Sequence, residues 1–295
     1  MSRLVLGTAQ LGMPYGIANK SGKPNFLSAI SIVNTAWENG ITEFDTAQAY
    51  GDSEQTLGRI FTELGIVQKV RVTTKLKSVQ TAVGRIFIHR SVEESLERLK
   101  VSKLECLLLH REDILDSLDD GLKESLQALV QRDYVRYLGV SVYSPERARQ
   151  ALDCNLFHNI QIPANILDRR FHHAGIFEIA EERDRQIYIR SAFLQGLILM
   201  NGEDMPEEMA LVKPVLAKLD YLALQYRLSR QAIALIYLRD RFMRAKVIFG
   251  AEITEQVLQN TRCWQLEAPA GLLSELDSAF PDLSENVLNP AKWYY

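Results

Sequence analysis

Eight short apolar runs punctuate the chain, at 4–8, 42–46, 70–75, 106–110, 137–141, 159–163, 187–191 and 246–250. Each is too short for a buried helix and is bounded by polar or turn-forming residues, so each reads as a strand. Amphipathic helical patterns fill most of the gaps, at 27–39, 54–64, 92–100, 118–132, 146–152, 176–183 and 229–239. The third carries a start signal, with Ser91 and Glu94 spaced as a capping box ahead of Leu96 and Leu99. Eight strand-helix units within about 250 residues predict a closed barrel, whereas a doubly wound sheet needs a break or a different count. The expected fold class is α/β, a (β/α)8 TIM barrel forming a single domain over 1–295, with a C-terminal loop at 283–295.

Composition enters as a test of that architecture. A chain of 295 residues that is 47% hydrophobic can fill a core of this size. A formal net charge of -3 and a pI near 6.0 give no basic field for nucleic acid. No apolar run approaches the roughly 20 residues of a membrane helix. The start, Met1-Ser2-Arg3-Leu4-Val5-Leu6-Gly7, enters an apolar strand without the pattern of a signal peptide, so a cytoplasmic location is expected. Cys106, Cys154 and Cys263 are widely spaced and lack companions at metal-ligand distance, which argues against zinc, any other metal and a disulfide framework. Cys106 reads as a small buried hydrophobe.

In a barrel of this kind the active site gathers at the carboxyl ends of the strands. The residues ending the expected strands include Asp45, Lys75, His110, Ser141, Gln161 and Ser191, and Tyr50 follows Asp45 in a loop that closes quickly into a helix, for which Asp52-Ser53-Glu54-Gln55 supplies a cap candidate. A phenol near pKa 10 is a poor acid at neutral pH, and a lysine cation beside it stabilises the phenolate and lowers that value. Lys75 can take this part, with Asp45 holding it in place and His110 donating a hydrogen bond to a carbonyl oxygen. The set suits protonation of a carbonyl. It supplies no hydride, so reduction requires a nicotinamide cofactor.

Phe44-Asp45-Thr46-Ala47 with Tyr50-Gly51 and Ser53-Glu54, then Thr74-Lys75, then Leu108-Leu109-His110, resembles the aldo-keto reductases in order and spacing. The likeness continues through Leu138-Gly139-Val140-Ser141, Gln161 and Ile248-Phe249-Gly250 with Gln256 and Asn260, and bacterial members are the nearest in kind. The resemblance implies a catalytic set of Asp45, Tyr50, Lys75 and His110, with Tyr50 the proton donor, and a cofactor extended across the barrel mouth. It implies NADPH slightly ahead of NADH. Its cofactor contacts map to Gly7, Thr8 and Asp45, to Ser141 and Gln161 at the carboxamide, and to Arg190 where many members stack an aromatic ring. They continue with Ser191, Phe193, Gln195 and Gly196 along the pyrophosphate, and with Gly250, Ala251, Glu252, Gln256 and Asn260 at the adenosine end. Ser141 and Gln161 also fit a filled layer of the barrel interior.

The departures shape what is expected of the pocket. Arg3 and Leu4 lead straight into the first strand, where many members have a hairpin, and Val142 stands at a common asparagine position. Gly250 and Gln256 replace a lysine and an arginine that often grip a 2'-phosphate, and Glu252 adds a negative charge beside them. Ala9, Lys77 and Arg111 replace bulky aromatics, so with Tyr15 they suggest a roomy, cationic pocket for a polar, sugar-like or anionic carbonyl compound. The other reading of Lys77 and Arg111 is solvation, with Arg111 paired to Glu112 or Asp113. Residues 197–208 read as a flap over cofactor or substrate, and the tail ending Trp293-Tyr294-Tyr295 either covers the mouth or packs on a helix. His89, His158, His172 and His173 read as structural or solvent-facing. Two competing functions use the same residues: a Schiff-base aldolase on Lys75, and a nucleotide-sensing regulatory subunit with little turnover. The oligomeric state is not legible.

Overall fold

The computed structural model describes residues 2–77 and 84–293. Its strands are β1 (Leu4–Gly7), β2 (Glu43–Asp45), β3 (Arg71–Leu76), β4 (Leu104–Leu109), β5 (Val135–Ser141), β6 (Asn159–Pro163), β7 (Gln186–Arg190) and β8 (Lys246–Gly250). They pair in parallel in chain order, and β8 returns to β1 to close the barrel. The expected (β/α)8 TIM-barrel class is therefore observed. Strands in such a barrel are covered on both faces, which is why they read as near-continuous apolar runs instead of alternating ones; all five residues of β6 are buried.

The helices are α1 (Ala9–Gly12), α2 (Phe26–Glu38), α3 (Ser53–Glu63), α4 (Gly84–Leu99), α5 (Asp120–Gln131), α6 (Pro145–Asp153), α7 (Arg170–His173), α8 (Ile176–Glu182), α9 (Lys213–Tyr226), α10 (Arg230–Arg241), α11 (Thr254–Gln265), α12 (Leu272–Ala279) and α13 (Glu285–Leu288). Among the described residues, four of their starts carry side-chain caps. Asn25 accepts from the Ser28 N–H, Asp119 from Leu122, Ser144 from Arg147 and Ser229 from Ala232. The expected capping box is not one. Ser91 lies inside α4 and its hydroxyl donates to Gln48 Oε1 at 3.1 Å, while Glu94 pairs with Arg90. Asp52 does occupy the position before α3, but its carboxylate turns to Lys23 and caps nothing.

The base of the barrel is sealed by charge. Glu43 opens β2, is 4% exposed, and accepts from Lys246 at 2.6 Å and from Arg71 at 2.8 Å. The Tyr188 hydroxyl reaches the same carboxylate at 3.3 Å. Arg3 closes the neighbouring edge by donating to the carbonyls of Phe242 and Arg239 at 3.0 and 2.8 Å. In the tail, Val287 and Leu288 are buried and Trp293 Nε1 donates to the Val287 carbonyl at 3.1 Å; Tyr294 and Tyr295 lie outside the described residues. Cys106 is fully buried, and Cys106, Cys154 and Cys263 are free thiols. Among the described residues no helix is long and apolar enough to cross a membrane, and no cluster of His, Cys, Asp and Glu is placed to hold a metal ion.

Candidate active site

Strand register decides which side chains meet at the mouth. Gly7 is level with both Asp45 and Gly250, Ser141 with Gln161, and Pro163 with Arg190. Asp45 ends β2 and Lys75 stands one residue from the end of β3; both are buried, at 4% and 1% exposure. Lys75 Nζ donates to Asp45 Oδ1 at 2.5 Å and to the Thr46 carbonyl at 3.0 Å. The other carboxylate oxygen accepts from Gln161 Nε2 at 2.8 Å, so one aspartate ties β2 and β3 to β6 across the barrel.

Tyr50 lies above this pair. Lys75 Nζ sits 4.9 Å from the centre of its ring, and the His110 ring meets it edge-on at 6.0 Å between centroids. Burial, then the Asp45 charge, push the Tyr50 phenol upward, and Arg190 offsets only part of that. This corrects the expectation that Lys75 sets a lowered value. The phenol is held protonated, which is the form a proton donor needs. Burial first, then the charges of Lys75 and Arg190, push His110 down to about 4, so its imidazole is neutral at neutral pH and can donate from one nitrogen.

The loop carrying Tyr50 is fixed by a close contact with the turn after β1. A Cβ at Gly12 would lie 1.8 Å from the Tyr50 carbonyl oxygen, and one at Gly51 would lie 2.2 Å from the Gly12 oxygen. Two facing glycines let these backbones touch. Behind them, Ser53 Oγ bonds the carbonyl and hydroxyl of Thr8, both at 2.9 Å, and Thr8 Oγ1 donates to the Asp45 carbonyl.

A groove of about 690 Å³ runs from Tyr50 to Asn260. Of the expected cofactor residues it is lined by Gly7, Thr8, Asp45, Gln161, Arg190, Ser191, Phe193, Gln195, Gly196, Gly250, Glu252, Gln256 and Asn260, and of the expected substrate residues by Ala9 and Tyr15. Ser141 and Ala251 lie behind the wall, each 2% exposed. Lys77 and Arg111 stand outside the groove. Lys77 is exposed, and Arg111 is 60% exposed and bonded to Asp113 at 2.7 Å, so the solvated alternative describes them and they do not make the pocket cationic.

Ser191, Leu194 and Gln195 all adopt positive φ, an uncommon cluster of non-glycine residues that curls the chain after β7 against the groove. Gly196 completes the curl, and a Cβ there would fall 2.5 Å from that of Ala18 in the first loop. The expected flap is anchored: Met200 and Met205 are buried, and Arg230 donates to the Met200 carbonyl at 2.7 Å. Asp204, within the expected flap, lines the groove, and so do Lys20, Asp220 and Arg230, none of them named as site residues from the sequence; nor was Tyr143, whose ring lies under the Arg190 guanidinium. Ser229, a cap pointing the start of α10 toward the strand ends, was the available signal for Arg230. Val142 contributes its carbonyl, which accepts from Arg190 at 3.3 Å.

A nicotinamide dinucleotide passes one test of fit. Gln161 is 1% exposed, donates to Asp45, and keeps a buried Oε1 with no partner, an acceptor suited to a carboxamide N–H. A closed barrel whose groove is lined by Tyr50 and Asp45, with a neutral His110 and the buried Lys75 set against Tyr50, carries the side chains of a carbonyl-reducing oxidoreductase of the barrel class. The chain belongs to the aldo/keto reductase family, whose sequence profile matches residues 3–280. Members of that family are NAD(P)H-dependent oxidoreductases. The chain is 26% identical to aldo-keto reductase YhdN of Bacillus subtilis over 206 residues, 67% of this chain and 60% of that protein, so the match spans less than two thirds of that relative. It is 25% identical over 286 residues to the L-glyceraldehyde 3-phosphate reductase of Escherichia coli O157:H7, covering 84% and 82% of the two chains. The holo form of aldo-keto reductase AKR11C1 from Bacillus halodurans superposes with a TM-score of 0.77 at 22% identity, covering 99% and 95%, which speaks to the fold. Glycerol dehydrogenase AKR11B4 from Gluconobacter oxydans gives 0.75 at 25% identity, covering 95% and 91%.

Proposed function

We propose that the chain is a one-domain cytoplasmic reductase that converts a small polar aldehyde or ketone to an alcohol, with Tyr50 as proton donor. The observation that carries this is the neutral Tyr50–His110 pair set directly over the buried Lys75–Asp45 ion pair. The cofactor supplies hydride when bound. Gly7, Gln161, Ser191 to Gly196, Gly250 and Asn260 are the residues that would hold it, and Gln161 Oε1 would take the carboxamide. His110 donates to the carbonyl oxygen and fixes its direction. Tyr50 gives its proton to that oxygen as negative charge develops there, and the ammonium of Lys75 beneath the ring steadies the phenolate left behind. Family habit favours NADPH. The groove's far end carries Glu252, whose carboxyl is raised by burial, and offers no cation from Gly250 or Gln256, so titration with both nucleotides is the deciding measurement.

The free cysteines support the cytoplasmic assignment. The name of the Escherichia coli relative supports a small polar substrate. The aldolase alternative loses ground because Lys75 Nζ is already engaged by a carboxylate and a carbonyl. The sensor alternative has no observation in its favour. The test is fluorescence titration with NADPH and NADH, then nucleotide oxidation against an aldehyde panel for the parent and Tyr50→Phe. Nucleotide binding in both proteins, with turnover lost in Tyr50→Phe, is expected; absence of nucleotide binding, or turnover unaffected by the substitution, defeats the proposal.

A further inference from the structure

The end of the groove away from Tyr50 is short of free cations. Lys20 Nζ meets Asp204 at 3.1 Å. Arg230 grips Asp220 through two nitrogens at 2.5 Å and spends its third on the Ile198 and Met200 carbonyls, at 3.3 and 2.7 Å. What is left over is an anion. Glu252 lines the groove, and among the described residues no lysine or arginine lies at ion-pair distance from it. Its Oε2 accepts from Ser21 Oγ at 3.3 Å, while Oε1 has no partner among them. Burial raises this carboxyl, and no cation opposes the rise.

The backbone does not make up the deficit. A helix start favours phosphate because its first N–H groups are unspent, and α11 begins two residues after Glu252. Here that position is already occupied. The Glu252 N–H donates to Gln256 Oε1 at 2.7 Å, and Glu255 adds a second carboxylate in the first turn of the helix. Gly250 brings no side chain, and a Cβ there would lie 2.4 Å from Gln10 Nε2. A carboxylate in such a place suits a sugar cis-diol, whose two hydroxyls are donors for its two oxygens, and it repels a phosphomonoester. Acidic side chains take this part toward NAD in other dinucleotide folds.

We infer that Glu252 holds the adenosine ribose by its 2'- and 3'-hydroxyls and excludes a 2'-phosphate, so that this chain takes NADH in place of the NADPH of family habit. This deepens the reductase reading and rests on it for the direction of the nucleotide, with nicotinamide at Tyr50 and adenosine toward Asn260.

The test is binding, read without turnover in the full-length protein. Dissociation constants for NADH and NADPH come from fluorescence titration. Calorimetry with 5'-AMP and adenosine 2',5'-bisphosphate isolates the adenosine end, because these two fragments differ only in the 2'-phosphate. NADH is expected to bind roughly tenfold to a hundredfold more tightly than NADPH, the order of one poorly screened like-charge contact, and 5'-AMP is expected to outbind the bisphosphate in the same sense. Glu252→Gln narrows both ratios to within about threefold of unity, chiefly by tighter binding of the phosphorylated member, and Glu252→Arg inverts them. A ratio within a pair is insensitive to a general loosening of the loop, which weakens both members alike. Equal or tighter binding of NADPH by the parent, or a preference for NADH that survives both Glu252→Gln and Glu252→Arg, overturns the inference. Binding of neither dinucleotide overturns it together with the reductase reading. Selective NADH binding without reduction of any aldehyde sinks the reductase reading alone, and tighter NADPH binding with Tyr50-dependent turnover sinks this inference alone.

Discussion

Replacing Asp45 by asparagine tests the physical centre of the site. The side chain keeps its shape and can still accept from Gln161, so what disappears is the charge facing Lys75. That ammonium is 1% exposed, and without the carboxylate it retains only the Thr46 carbonyl at 3.0 Å. Stranding one member of a buried ion pair costs about 3–5 kcal/mol. An unfolding entropy of about 2.1 cal/mol/K per residue over 295 residues converts that into a fall of roughly 5–8 °C in Tm. The informative partner is Lys75→Met, which removes the cation and leaves an apolar chain of similar length. Replacing both members of such a pair is often neutral, so Asp45→Asn/Lys75→Met is expected to be at least about 2 kcal/mol more stable than the sum of the two single changes. Urea unfolding followed by tryptophan fluorescence and far-ultraviolet circular dichroism measures all four proteins. A cost below about 1 kcal/mol for Asp45→Asn, or a double variant as unstable as the sum, would refute the claim that this carboxylate exists to satisfy a buried charge.

Three further outcomes are expected. His110 takes up a proton at about 6.5 when unfolded but only near 4 when folded, so the unfolded chain binds more protons between those values and stability rises with pH across that window. His110→Asn should flatten the slope by about 2–3 kcal/mol in total, read by urea midpoints from pH 4 to 7. Gly12→Ala forces its methyl onto the Tyr50 carbonyl; if that contact places the phenol, kcat falls about tenfold or more while nucleotide affinity is preserved, and an unchanged kcat shows the loop can yield. Glu43→Gln leaves the Lys246 ammonium without its carboxylate at the barrel base, and should cost about 3 kcal/mol in urea with kinetic constants little altered.

The eight strands were legible because parallel strands covered on both faces must be short apolar runs, and every boundary fell within two residues of the structure. Three helices of the C-terminal third were less so. Helix α11 (Thr254–Gln265) starts without a side-chain cap, α12 (Leu272–Ala279) follows a glycine at positive φ, and α9 (Lys213–Tyr226) opens with Pro214, which reads as a break when no cap precedes it. At the site, the residues ending strands could be named because barrel geometry dictates where they point. The partners that neutralise them could not: Asp204 finds Lys20 across a separation of 184 residues, and nothing local to either one announces it. Arg111 shows the reverse case, since its partner Asp113 is two residues away and was visible in the sequence. Charge drawn from sequence thus locates ionisable groups but not the surplus left after pairing, and the surplus is what a ligand meets.

The Gly12–Gly51 contact limits how this scaffold can be redesigned. The first loop carries Tyr15 and Lys20 into the groove, which makes it the natural segment to exchange when a different substrate is wanted. Its opening turn, however, doubles as the back wall of the Tyr50 loop, so a graft that begins right after β1 replaces the support of the proton donor along with the binding surface. A graft that begins after Met13 leaves that support in place and allows the binding surface to vary by itself.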